Sequence, residues 1–198
     1  MTEIDFLPPK KSWIQEIQKS DWIILTSGAA ARTLPQIMGD LRTLHGKRIA
    51  VVGKSTAAIL GALGLRADFV GPGPGSMALA RAWPGKKSES ILHLTGNAEE
   101  GGLVKVMRRM GYPTQRIEVY RNRLPPCLPK PVLSALRQAG ADWVVFASGT
   151  AAQRLRRLVG KTAMPRIKTV EIETAANLRP RRPALAIFKS FECKGSLK

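Results

Sequence analysis

Compared with itself, this chain repeats. Residues 21–39 read DWIILTSGAAARTLPQIMG and residues 142–160 read DWVVFASGTAAQRLRRLVG. They align without a gap over Asp-Trp, an apolar run, Ser-Gly, Ala-Ala, a Leu and a closing Gly. A second pair follows in the same order. Ile49 to Leu60 reads IAVVGKSTAAIL and Val170 to Leu178 reads VEIETAANL, sharing Thr-Ala-Ala-x-Leu, although the later copy lacks the preceding glycine. Ordered pairs of this kind mark a duplicated supersecondary unit, which narrows the fold before any other property is considered.

Each unit has a physical reading. Trp22 to Leu25 is an unbroken apolar run bounded by a turn signal, as expected of a strand buried on both faces. Ser27-Gly28 then makes a tight turn into a helix, Ala29 to Met38, with Ser27 as N-cap and Pro35 shortening or bending it. Arg48 to Val52 is the next strand, Gly53 the turn, and Ser55 or Thr56 caps a helix that Gly64 ends near Leu63. Short strands at Ala67 to Val70, Ile91 to Leu94 and Ile117 to Tyr120 follow, with an amphipathic helix, Glu99 to Met110, before Gly111. Alternating strands and helices predict an α/β fold, a parallel sheet with helices on both faces.

Proline sets the boundaries. Asp5 to Lys11 (DFLPPKK) and Arg121 to Pro131 (RNRLPPCLPKP) read as extended linkers. The expected organisation is a linker strand and remnant over 1–18, a contiguous α/β domain over 19–120, a linker over 121–131 and a second domain over 132–198. GPGPGS at Gly71 to Ser76 meets no phosphate-loop register, and its prolines lack N–H groups, so it reads as a linker turn.

Composition limits the function. The 198 residues carry 32 Lys plus Arg against 14 Asp plus Glu, a net charge of +18. A 44% hydrophobic fraction with 23% charged residues argues against a disordered polycation. The apolar runs are too short to span a bilayer, and MTEIDF has no basic region followed by an apolar stretch, so no signal peptide is expected. Cys127 and Cys193 make no metal spacing and no disulfide framework. These features predict a soluble cytoplasmic protein. The charge suits anionic partners, namely nucleic acid, an acidic membrane surface or a polyanionic small molecule, or simply a solvated basic surface. Aromatic residues make up only 6% and are not interleaved with basic ones, which weakens the nucleic-acid case.

The ordered pieces DWIILTSGAAARTL, RIAVVGKSTAAILGALG, ILHLTGNAEEGGLVKVMRRMGY, IEVYRNRLPP, ADWVVFASGTAAQRL and TAANL, from Asp21 to Leu178, resemble the uroporphyrinogen-III synthase family. The resemblance implies two similar flavodoxin- or Rossmann-like parallel-sheet domains, joined by a two-stranded linker, with substrate between them. It implies a cyclising hydro-lyase without metal or organic cofactor. That enzyme closes hydroxymethylbilane with inversion of ring D, in the tetrapyrrole pathway, with porphobilinogen deaminase as functional neighbour. The substrate is an anionic linear tetrapyrrole whose carboxylates are held at strand-to-helix turns, a chemistry that helix amino termini suit. The candidate binding residues are Ser27, Gly28, Ser55, Thr56, Gly96, Asn97, Ser148, Gly149 and Thr174. Tyr120 in EVYRNR matches the tyrosine proposed to assist departure of the substrate hydroxyl.

Other readings compete at these positions. Ser27 and Ser148 also suit plain helix caps, and Tyr120 a half-buried strand aromatic. Trp22 and Trp143 read as core, Glu99 and Glu100 as partners of a helix dipole, and neither His45 nor His93 has a catalytic spacing. Family members are typically longer at the front, so the second domain, Pro131 to Lys198, is expected to be incomplete and the less well ordered. The activity of the short form is therefore open; the alternatives are a degenerate, non-catalytic tetrapyrrole- or polyanion-binding relative and, behind it, a basic nucleic-acid-binding α/β protein.

Overall fold

The computed structural model describes residues 3–73, 75–97, 102–137, 143–146, 149–159 and 168–171. Ile4–Asn122 forms one compact unit, and Glu3 with the described residues from Arg123 onward belongs to a second.

The first unit is a six-stranded sheet. Its strands are β1 (Glu3–Phe6), β2 (Trp22–Leu25), β3 (Arg48–Val51), β4 (Phe69–Val70), β5 (Ile91–Gly96) and β6 (Thr114–Arg123), in the spatial order β1-β6-β5-β2-β3-β4. The pairs β2–β3, β3–β4, β2–β5 and β5–β6 are all parallel. The chain winds outward from β2 to β4, then returns to the other side of β2 with β5 and β6. A topological switch point therefore lies between β2 and β5, where doubly wound folds open a crevice at the carboxyl ends of their strands.

All four residues of β2 and all six of β5 are buried, as central strands covered on both faces require. One face carries Ile23, Leu25, Ile49, Val51, Leu92 and Leu94 against α1 (Lys11–Lys19), α2 (Gly28–Met38) and α3 (Lys54–Ala62). The opposite face carries Trp22, Ile24, Ala50 and Ile91 against α4 (Gly75–Arg81) and α5 (Gly102–Arg109). Alternate residues of each strand thus feed two separate cores.

The helix starts differ in how they are capped. Ser27 caps α2, its Oγ accepting the Ala30 N–H at 3.2 Å, and α2 continues through Pro35 to Met38. The N-cap of α3 is Gly53, which has no side chain to offer, so neither Ser55 nor Thr56 caps it as expected. Both lie in its first turn, Ser55 exposed and Thr56 buried. Gly64, at a φ of +76°, takes the left-handed conformation that ends α3 cheaply.

Three helices among the described residues were not read from the sequence, one of them Lys130–Arg137, which starts inside the Pro-rich stretch expected to be extended. In α1, Trp13 and Ile17 stand four residues apart and bury one stripe, a helical period short enough to be lost among polar neighbours. In α4, the chain expected to be a linker turn enters a seven-residue helix that buries Leu79 and Ala80. Strands β5 and β6 also run past their expected ends, to Gly96 and Arg123.

The repeated Asp-Trp works at the amino end of the sheet. Asp21 accepts the Ser90 N–H at 2.7 Å and the Ser90 hydroxyl at 2.8 Å, which hold its carboxyl below the usual range. The Trp22 indole N–H donates to Glu89 at 2.9 Å, and Glu89 pairs with Arg48 at 2.8 Å. Arg48 stacks over the Trp22 ring at 4.5 Å, and Trp83 meets that ring edge-on at 4.9 Å. Trp22 is a core residue, as expected.

In the second unit, β7 (Trp143–Phe146) and β8 (Lys168–Glu171) pair in parallel, with α6 (Lys130–Arg137) and α7 (Gly149–Val159). Leu128, Leu136, Val144, Leu155 and Val159 form its core. The internal repeat is thus structural: β2 and β7 are both four-residue strands, and α2 and α7 are both eleven-residue helices. β3 and β8 lie beside them in the same parallel sense. Among the described residues, no helix is long and apolar enough to cross a membrane.

Candidate active site

A cleft of about 350 Å³ opens at the carboxyl ends of β2, β3, β5 and β6, at the switch point. Thr26 and Ser27 enter it from the end of β2, Val52 from β3, Thr95 and Gly96 from β5, and Tyr120 from β6. Gly75 and Ser76, at the start of α4, complete its lining.

Tyr120 reaches this cleft because β6 carries an irregularity. The register runs Thr95↔Glu118 and then Gly96↔Tyr120, so Val119 is an extra residue in the ladder. In a regular strand Val119 and Tyr120 would face opposite sides; here both join the core of the same face. The Tyr120 ring packs against Gly96, where a Cβ would fall at 2.5 Å from Cζ and 2.9 Å from the phenol oxygen. Only a glycine leaves room for it. The Arg116 guanidinium donates to the Gly96 carbonyl at 2.7 Å and holds this end of β5.

The Tyr120 side chain is 7% exposed, and its phenol oxygen lies 3.0 Å from Ser27 Oγ. Ser27 therefore has two tasks, capping α2 and positioning the phenol. The cap read at Ser27 is made, and the same residue lines the cleft.

The cleft's other wall is built on the opposite face of the sheet. Thr26 follows Ile24 by two residues, and His93 is the register partner of Ile24. Thr26 Oγ1 lies 3.1 Å from His93 Nε2, and His93 is fully buried. Thr95, one alternation beyond His93, is also buried.

The structure brings together Ser27, Gly96 and Tyr120 of the expected site residues. Gly28 opens α2, with Ile59 packed where its Cβ would stand. Asn97 sits just beyond β5, its Oδ1 accepting the Asn122 N–H at 2.8 Å. Ser55 and Thr56 lie in the first turn of α3 and are not part of the cleft lining. Gly149 opens α7, while Ser148, Thr174, Glu99 and Glu100 lie outside the described residues. His45 is exposed after a 3-10 turn, Leu41–Leu44, and Cys127 is a free, exposed thiol. Sequence reasoning missed Thr26, Val52, Gly75, Ser76 and Thr95. The first and last of these directly follow buried strand runs, which was the available signal.

A family model described as uroporphyrinogen-III synthase HemD matches residues 2–176. A uroporphyrinogen-III synthase of Synechococcus elongatus is 28% identical over 163 residues, which cover 76% of this chain and 61% of that protein. The chain thus spans about three fifths of that relative. The crystal structure of a Helicobacter pylori uroporphyrinogen-III synthetase superposes with a TM-score of 0.63 at 14% identity, covering 86% of this chain and 75% of that one. A Thermus thermophilus uroporphyrinogen III synthase superposes with a TM-score of 0.53 at 22% identity, covering 86% and 71%. Both structures share the α/β fold. With most of its length accounted for by one family model, the chain belongs to the uroporphyrinogen-III synthase family.

Proposed function

We propose that this chain acts on hydroxymethylbilane and closes it to uroporphyrinogen III with inversion of ring D. The observation that carries the reading is the Tyr120 hydroxyl, held 3.0 Å from Ser27 Oγ in a cleft at the carboxyl ends of the strands. Such clefts are where doubly wound folds bind ligands.

The substrate carries an acetate and a propionate on each pyrrole ring. The amino terminus of α2 presents backbone N–H groups beside the cleft, and the chain's net charge of +18 draws polyanions towards it. Gly28, Ser55, Thr56, Gly96 and Asn97 are assigned to carboxylate binding on the family resemblance. Ser148, Gly149 and Thr174 are assigned the same role through the second copy of the repeat.

Tyr120 supports the chemical step. Its O–H donates to the substrate hydroxyl as the C–O bond breaks. The hydroxyl and a pyrrole N–H proton leave together as water, and an azafulvene remains. The substituted carbon of ring D attacks it, giving a spiro intermediate that fragments and recloses with ring D inverted. Free bilane closes to the symmetric isomer, so the protein's main contribution is to hold one reactive conformation. The reaction is assigned to the cytoplasm, after the enzyme that supplies the linear tetrapyrrole.

The test is direct. Freshly made hydroxymethylbilane is incubated with the full chain, and the uroporphyrinogen isomers are resolved after oxidation. Type III product above the enzyme-free control supports the reading, and type I alone removes it.

A further inference from the structure

We propose that Arg116 is a positioning residue for Tyr120: its guanidinium anchors the Gly96 carbonyl, and the anchored glycine is the seat that aims the phenol ring into the cleft. The inference rests on the reading of Tyr120 as the group that acts on the departing hydroxyl. It adds to that reading a charged side chain outside the cleft lining, which no motif in the sequence singled out.

Gly96 is held from two sides. Ile117 packs against the same core as Tyr120, so Arg116, one residue earlier, starts on the opposite face of β6. From there Nη2 reaches the Gly96 carbonyl at 2.7 Å. The Tyr120 ring packs on the glycine itself, where a Cβ would fall 2.5 Å from Cζ.

These demands conflict at an unaided strand end. The ring needs a residue without a side chain, and such a residue has the loosest backbone of all. The ladder is also irregular at this point, between Thr95 and Gly96. A charge-assisted bond to the carbonyl supplies the order that the missing side chain cannot.

Stability alone does not explain the bond. Arg116 is half-buried, and its Nε is buried without a hydrogen-bond partner among the described residues. A buried donor left unpaired costs about as much as the neighbouring bond returns, so the fold gains little from this guanidinium. Replacing it by an apolar chain of similar length should therefore spare the fold while it releases Gly96.

The experiment has two arms on the full chain. The first uses ring-¹³C tyrosine spectra of the ligand-free protein beside thermal melts. The chain has 2 tyrosines, and Tyr112→Phe assigns the signals. Arg116→Met should shift the Tyr120 ring signals, leave those of Tyr112 in place and melt at or above the wild-type Tm. Unmoved Tyr120 signals overturn the proposal. An Arg116→Met chain that does not fold, or melts well below wild type, marks a merely structural residue and also overturns it.

The second arm measures type III formation. Arg116→Met should lower kcat about tenfold and leave KM within about twofold, because the seat serves the leaving group and not the carboxylates. Arg116→Lys, which keeps a cationic donor, should stay within about threefold of the wild-type kcat. The double variant Arg116→Met, Tyr120→Phe should be no slower than Tyr120→Phe, since a lost phenol needs no aiming. Additive losses, or a wild-type kcat in Arg116→Met, overturn the proposal. Absence of type III product from the wild-type chain would strike the synthase reading, and the ring signals would still decide this one. Type III formation with unmoved Tyr120 signals in Arg116→Met would strike this one alone.

Discussion

Ser27 Oγ stands 3.0 Å from the Tyr120 phenol oxygen while accepting the Ala30 N–H at 3.2 Å. A hydroxyl with a lone pair already committed to a helix cap gives its own proton most economically to the second partner. Either oxygen can be the donor in this contact; with Ser27 as donor, the phenol keeps its O–H for the cleft. One serine thereby ties the start of α2 to the Tyr120 phenol, the group proposed to assist the departing hydroxyl.

Tyr120→Phe should lower turnover roughly a hundredfold, with little change in KM, because the phenol acts on the leaving group and not on the carboxylates. Ser27→Ala should lower turnover as well and also cost about 1 kcal/mol of stability through the lost cap. Steady-state kinetics beside thermal melts separate the two. Tyr120→Phe turning over at the wild-type rate would remove its role.

Gly96→Ala places a methyl group inside the Tyr120 ring. The ring must move, so activity should fall at least as far as in Tyr120→Phe. The expected signature is a folded chain by circular dichroism whose Tyr120 has become accessible to fluorescence quenchers. Unchanged turnover would mean that the ring position is not needed.

Glu89 is held down to about 2 by the hydrogen bond from Arg48 first, then by those from the Trp22 indole and the Lys86 N–H. Asp21 is lowered by its bonds from Ser90. Carboxyls whose folded pKa lies below the unfolded one stabilise the fold above the unfolded value. That contribution fades as pH falls from about 4.5 through about 2. In urea titrations Glu89→Gln should be less stable than wild type at pH 7, and the gap should close across that window. A gap independent of pH would mean that packing, not charge, explains the loss.

Leu94 is fully buried in the middle of β5, one turn of the ladder before Gly96. Leu94→Ala should cost about 2–5 kcal/mol by opening a cavity between β5 and its covering helices. The denaturant midpoint measures it, and a loss under 1 kcal/mol would contradict the packing described.

Much of the fold was legible because its signals are local. A four-residue apolar run bounded by Ser-Gly can only be a buried strand feeding a helix, and β2 and α2 took that form. The duplicated unit was equally legible, since copies with the same spacing bury the same faces. α4 was hidden by the glycines and prolines before it, which announce a turn and say nothing of a short helix after it. The capping of α3 was misread because serine and threonine normally win that position, yet the N-cap is Gly53, two residues before Ser55, and the helix starts at Lys54.

The site divided along the same line. Sequence by itself determined the parallel α/β class, the repeat, and Ser27, Gly96 and Tyr120 as candidates, because each is a property of a strand end or of a short motif. Only the tertiary structure decided that they meet. Ser27 and Tyr120 are separated by 93 positions, and their contact depends on an extra residue at Val119 that redirects a side chain across β5. His93 beneath Thr26 depends likewise on the register of two strands 67 positions apart. Register is set by how whole faces pack, a sum over the sheet that no local window of residues contains.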